Sequence, residues 1–182
     1  MNTINNRFII TGGPGSGKST LLSQLSDHGY CCFEEISRIV IQEQHQIGGD
    51  KVPWRNLPDF AEICFQRMSA QLLECTADKN CFFDRGLPDI IAYLRRRGCD
   101  VPKRYFKHSK QYNKTVFLAP PWKEIFINDA ERPESFEDSM EISLFLKNTY
   151  EELGFRVIEL PKSSIKHRVK FINNYLSGAN DL

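Results

Sequence analysis

The run Gly12-Gly13-Pro14-Gly15-Ser16-Gly17-Lys18-Ser19 has the spacing G-x-x-x-x-G-K-[ST] of a phosphate-binding loop. Its glycines let the backbone turn so that successive N–H groups converge on one anion. Lys18 adds a flexible charge that reaches β- and γ-phosphates, and the Ser19 hydroxyl is a ligand for Mg²⁺. Thr20 follows at the start of a helix whose positive end faces the phosphates. The pattern predicts a protein that binds a nucleoside triphosphate through Gly12 to Thr20.

Other residues could complete the chemistry. Asp84 closes the apolar run Cys81-Phe82-Phe83, where a second carboxylate is needed to hold Mg²⁺ directly or through water; its alternative role is to cap the next helix. Arg85 either steadies phosphate and acceptor charge or pairs with a neighbouring acid. Glu35 is a candidate general base on an acceptor hydroxyl, or part of an acceptor-binding wall with Arg38 one turn later. Arg132 lies in a polar, irregular stretch, where an arginine could close over the phosphates as a lid.

Two missing patterns narrow the nucleotide. A guanine reader would carry Asn-Lys-x-Asp, but Asn113-Lys114-Thr115 is followed by Val116. Asp84-Arg85-Gly86-Leu87 lacks the glycine that Asp-x-x-Gly requires. ATP is therefore expected, with Mg²⁺ carried in beside it.

The elements that must position these residues alternate between strand and helix signals. Arg7 to Thr11, Gly29 to Phe33, Cys81 to Phe83, Lys114 to Ala119 and Phe155 to Leu160 read as strands. Helices are expected after the loop, over Ile36–Gln46, over Asp59–Thr76, from Pro88, from about Pro133 and from Ser163 or Ser164. In the helix after Pro133, Phe136, Met140, Leu144 and Tyr150 are expected to face inward. Strands separated by helices imply a parallel sheet covered on both faces, with ligands at the carboxyl ends of the strands. That rule gathers the loop, Glu34-Glu35 and Asp84-Arg85 along one edge.

With 182 residues the chain is expected to form one domain, residues 1–182. A formal net charge of +1 gives no reason to expect a nucleic-acid partner. The runs Arg95-Arg96-Arg97 and Lys103 to Lys110 read as solvated helix ends rather than a basic face. No stretch approaches the ~20 apolar residues of a membrane span, and Met1 to Asn6 lacks a signal-peptide core. The expected compartment is the cytoplasm. No cysteine pair has C-x-x-C spacing, so no structural metal is expected; Cys31, Cys32 and Cys81, on strands, are expected to be reduced and buried.

The loop, Glu35-Ile36-Ser37-Arg38, Asp84-Arg85-Gly86, the Trp122 to Arg132 segment and the stretch from Val157 to Arg168 together resemble the small NadR-like, AAA-type P-loop family, which includes nicotinamide riboside kinase domains. The resemblance implies a three-layer α/β/α fold with a five-stranded parallel sheet in the nucleotide-kinase order 2-3-1-4-5. It implies that Lys18 and Ser19 contact ATP and Mg²⁺, that Asp84 is the acid at the third strand's end, and that Arg132 is a lid arginine. The chain is expected to lack both the adenylyltransferase domain found in NadR and the helical subdomain of ring-forming AAA machines.

Together these readings point to a Mg²⁺-dependent phosphotransferase acting on an unidentified small hydroxyl-bearing acceptor such as a nucleoside. The alternatives are an ATPase, or a slow nucleotide-dependent switch that binds a protein or lipid partner.

Overall fold

Alternation within the strands explains the layering. In β1 (Arg7–Thr11), Phe8 and Ile10 point to one side and Ile9 to the other. β3 (Cys81–Asp84) repeats this with Phe82 and Phe83, and β4 (Thr115–Leu118) with Phe117 and Val116. Register joins like to like, since Ile9 lies opposite both Phe83 and Val116. With β2 (Cys31–Phe33) and β5 (Arg156–Glu159), these strands form one parallel sheet in the order β2-β3-β1-β4-β5. The structure is a computed structural model and describes residues 5–76, 78–127 and 134–178.

One face of the sheet is covered by α1 (Lys18–Asp27) and α7 (Ile165–Leu176), through Leu21, Leu22, Leu25, Val169 and Ile172. The other carries α2 (Ile36–Ile47), α3 (Leu57–Glu74), α4 (Leu87–Arg96), α5 (Lys103–Ser109) and α6 (Phe136–Glu152). The result is the expected three-layer α/β/α arrangement in the expected strand order. No helix among the described residues is long and apolar enough to cross a membrane.

Several expectations need correction. Residues 103–109 form a separate helix, α5, whose Tyr105 is buried and stacks on Phe65 with ring centroids 4.4 Å apart. α6 begins after Ser135, whose hydroxyl accepts the Asp138 N–H while Asp138 accepts the Ser135 N–H. Its Met140 and Leu144 face outward, 45% and 61% exposed. The buried stripe is instead Ser139, Ile142, Ser143, Leu146, Thr149 and Tyr150. Ser139 belongs to that stripe because it packs against the Gly13 and Pro14 backbone, while Tyr150 is buried as expected.

Cysteine pairing is a second correction. Cys75, at the end of α3, and Cys81, at the start of β3, form a disulfide across a sequence separation of 6. The turn between helix and strand brings their Cα atoms to 6.2 Å, within disulfide reach. Cys31 and Cys32 are free thiols but only half-buried, and burial together with Cys31 pushes the Cys32 thiol up to about 12. The arginines Arg95, Arg96 and Arg97 stand exposed at the C-terminal end of α4, as expected, and two of them also make surface ion pairs. Arg95 pairs with Glu152 at 3.0 Å and Arg96 with Glu141 at 2.9 Å, both on α6.

Candidate active site

β1 delivers the loop and α1 begins directly at Lys18. Gly15 and Gly17 adopt φ of 70° and 81°, the left-handed region that glycine enters at no steric cost. A Cβ at Gly15 would lie 2.5 Å from the Phe126 ring, and one at Gly17 would lie 3.1 Å from Ile125. The segment after β4, with its short 3₁₀ turn Lys123–Ile125, therefore packs on the loop. The Lys18 ammonium donates to Gly12 O at 3.1 Å, Gly13 O at 2.9 Å and Ser16 Oγ at 3.3 Å.

The strand-end rule holds for the carboxylates. Ser19 Oγ donates to Asp84 Oδ2 at 3.2 Å, so the two hard oxygen donors expected to hold Mg²⁺ stand together at the loop. Asp84 is buried at the end of β3 and does not cap α4. That role belongs to Asp89, whose carboxylate accepts the Gly86 N–H at 2.9 Å.

Arg85 carries the next link. Its backbone sits at φ 68°, a conformation rare outside glycine that costs about 1–2 kcal/mol and tends to mark functional sites. The buried guanidinium donates through Nε to Glu35 Oε1 at 3.0 Å and through Nη1 to Asp89 Oδ1 at 3.3 Å. Burial works against its charge, but Tyr93, Glu35, Asp89 and Asp84 outweigh that and hold its pKa well above the ordinary arginine value. Arg85 is thus the acid-paired arginine of the two roles expected for it. Glu35, also buried, accepts from Ser37 as well.

Two cavities flank this pair. A groove of about 470 Å³ is lined by Ser19, Cys32, Glu34, Glu35, Arg38 and Asp84, among others. A slot of about 70 Å³ lies among Ile41, Trp54, Phe60, Arg85, Ile90 and Tyr93. Glu35 and Arg38 therefore share one wall, as expected, while Arg85 faces the slot. Thr20 is exposed on the first turn of α1. Arg132 lies outside the described residues.

Three residues escaped sequence reasoning. Asp89 is fully buried and accepts from Thr11 Oγ1 at 2.6 Å and from Tyr150, besides Arg85 and Gly86. Removing this shared acceptor leaves the buried donors of Thr11, Gly86, Tyr150 and Arg85 Nη1 without it, while Glu35 still pairs with Arg85 Nε. Asp89→Ala is expected to lower unfolding free energy by about 3–5 kcal/mol in urea titration; a loss under about 1 kcal/mol would show that the network carries little stability. Arg168 on α7 is also fully buried, donating to Ser16 O at 3.0 Å and Pro161 O at 2.8 Å, with the Trp122 ring 5.3 Å away. The available signal was an arginine on the apolar face Ile165, Val169, Ile172. Ser139 on α6 donates to Pro14 O at 2.8 Å, and nothing in its neighbourhood marked it.

A phosphate-binding loop between β1 and α1, in a sheet ordered 2-3-1-4-5, defines a P-loop NTPase fold in its nucleotide-kinase-like form. The chain matches the AAA domain family over residues 7–168 and belongs to that family. Among solved structures it is similar to deoxyadenosine kinase from M. mycoides, at TM-score 0.61 and 19% identity, covering 94% of this chain and 98% of that one. It is also similar to a NadR protein solved in complex with NR, at TM-score 0.67 and 17% identity, covering 97% of this chain and 54% of that one. In sequence it is 32% identical over 92 residues to the RNase adapter protein RapZ of Klebsiella oxytoca, covering 43% of this chain. That match spans 32% of the relative's length.

Proposed function

We propose that the protein is an ATP-dependent phosphotransferase acting on a small hydroxyl-bearing metabolite such as a nucleoside. The observation that carries this reading is the meeting of the Ser19–Asp84 pair and the Glu35–Arg85 pair at the loop, beside two cavities. Phosphoryl transfer needs positioning and charge neutralisation more than covalent chemistry. The solved proteins of similar fold named above include a deoxyadenosine kinase, in keeping with this class of acceptor.

In this reading the loop amides from Gly12 to Thr20 and the Lys18 ammonium bind the triphosphate of ATP. The ammonium exchanges its loop carbonyls for β- and γ-phosphate oxygens. Ser19 and Asp84 fit Mg²⁺ by their donor chemistry, and the ion would neutralise charge on the phosphates. Glu35, Asp84 and Asp89 surround the guanidinium of Arg85 and hold it charged.

The acceptor enters the slot on the Arg85 side of the Glu35–Arg85 pair, its body against the apolar walls Ile41, Phe60 and Ile90. The slot is smaller than the roughly 300–1,000 Å³ of ordinary ligand sites. Admission of a nucleoside-sized group therefore requires the half-exposed Trp54, on the connection between α2 and α3, to swing outward. Glu35 receives the acceptor's hydroxyl hydrogen bond while Arg85 fixes the carboxylate in place. Arg132 closes over the transferred phosphate as a lid.

ADP release from Mg·ATP, with and without a panel of nucleosides and related hydroxylated metabolites, tests this function. Acceleration by an acceptor supports the phosphotransferase, and a flat panel over steady basal hydrolysis replaces it with an ATPase. Glu35→Gln keeps the shape of the pair and removes its charge. Its acceptor-dependent turnover is expected to fall about 10²-fold, with ATP affinity retained. Unchanged turnover would reduce Glu35 to a structural partner of Arg85.

A further inference from the structure

Phosphate-binding loops work only if their N–H groups point inward together, yet glycine-rich backbone has no intrinsic reason to hold that arrangement. In a trans peptide the carbonyl of one residue and the N–H of the next point in opposite directions. Fixing a loop carbonyl from outside therefore aims the following N–H the other way.

Two distant helices fix such carbonyls here. Ser139 Oγ, on α6, donates to Pro14 O at 2.8 Å, which governs the Gly15 N–H. Arg168 Nη1, on α7, donates to Ser16 O at 3.0 Å, which governs the Gly17 N–H. Both donors are fully buried. Neither is held loosely. A Cβ at Gly13 would collide with Ser139, so α6 lies directly on the loop. Arg168 is anchored by Pro161 O at 2.8 Å and by the Trp122 ring.

Arg168 also has no carboxylate partner among the salt bridges of the described residues, and burial lowers its pKa from the ordinary arginine value. A buried guanidinium whose partners are backbone carbonyls and a ring, with Nη2 left without an acceptor among the described residues, costs the fold stability, so its placement against the loop calls for a role beyond stability.

We infer that Ser139 and Arg168 are positioning residues that preorganise the phosphate cradle, each clamping the outward carbonyl of one loop peptide so that the next N–H is available to phosphate. The inference rests on the reading of the loop as a nucleotide site and adds the parts of the chain that set its geometry. It also ties the loop to α6.

Calorimetric titration of the full chain with Mg·ATP and, separately, with tripolyphosphate tests this, alongside thermal unfolding of each variant. Ser139→Ala suits the helix and should stay folded, while raising the Kd for both ligands about fivefold. Arg168→Met removes a charge-assisted bond and should raise both about tenfold or more. Arg168→Lys, which can still donate to Ser16 O, should recover most of that loss.

Unfolding temperatures that fall while both affinities stay within about twofold would make these residues purely structural and overturn the inference. Loss of ATP affinity with tripolyphosphate binding unchanged would overturn it too, by moving the effect to the base or ribose. If the wild-type chain binds neither ligand, the nucleotide reading itself falls and takes this one with it. If the wild type binds and Ser139→Ala and Arg168→Met bind equally well, only the positioning role is lost.

Discussion

Lys18→Ala is expected to weaken Mg·ATP binding by about 10²-fold or more and to reduce turnover below detection. The magnitude follows from what the ammonium does in the two states. In the structure it donates to Gly12 O, Gly13 O and Ser16 Oγ, so it is the charge on which the loop closes. With nucleotide bound, the same group is expected to move to the β- and γ-phosphates, where a charge-assisted bond is stronger than one to a neutral carbonyl. Alanine loses both the loop contacts and the phosphate contacts. Lys18→Arg should not rescue, because a planar fork is a different shape from a compact ammonium in a loop that is already filled. Isothermal titration decides it. An unchanged Kd would remove the nucleotide reading altogether.

Asp84→Asn is expected to abolish Mg²⁺-dependent turnover, by about 10²-fold or more, while leaving the fold intact. Asparagine keeps the volume at the end of β3 and can still accept from Ser19 Oγ. It removes the negative charge that a divalent cation needs, while Glu35 and Asp89 still pair with Arg85. The useful contrast is with Asp89→Ala. Asp84→Asn should change activity far more than stability, and Asp89→Ala the reverse. Turnover as a function of Mg²⁺ concentration, measured with the unfolding transition, separates the two. Normal Mg²⁺ dependence in Asp84→Asn would leave Asp84 as no more than a buried partner of Ser19.

The placement of these carboxylates was legible in the sequence for a definite reason. Asp84 ends β3 and Glu35 follows β2 by two residues, and in a parallel sheet covered by helices the strand ends share one edge. The spacing around Lys18 was equally clear, because a phosphate cradle needs glycine at fixed positions and a lysine at one. Periodicity also placed α7, where Val169 and Ile172 are buried as the pattern requires. It failed in α6, where Ser139 and Ser143 take buried positions and Met140 and Leu144 face outward. Hydrophobic pattern reports which residues avoid water, not which small polar groups are wanted against a backbone.

The same limit hid the partners of the loop. Asp89 reads as an ordinary residue in the first turn of a helix, yet it accepts from Thr11, Arg85, Gly86 and Tyr150. Arg168 stands 152 positions from the carbonyl it holds, and Ser139 stands 125 from its own. No local signal spans such distances. Cys75 and Cys81 are close in sequence, but only the geometry of the turn between α3 and β3 brings them together.

By itself the sequence determined the alternation of strand and helix, the sheet order through its family resemblance, and the loop that would hold phosphate. These depend on local spacing and on rules of connection that hold for any chain. Tertiary structure alone decided that Arg85 pairs with Glu35 rather than standing free, that Asp89 is the hub beneath it, and that α6 and α7 clamp the loop. Those outcomes depend on which side chains meet once the sheet is covered, and burial then compels each polar group to find a partner that only the folded chain can supply.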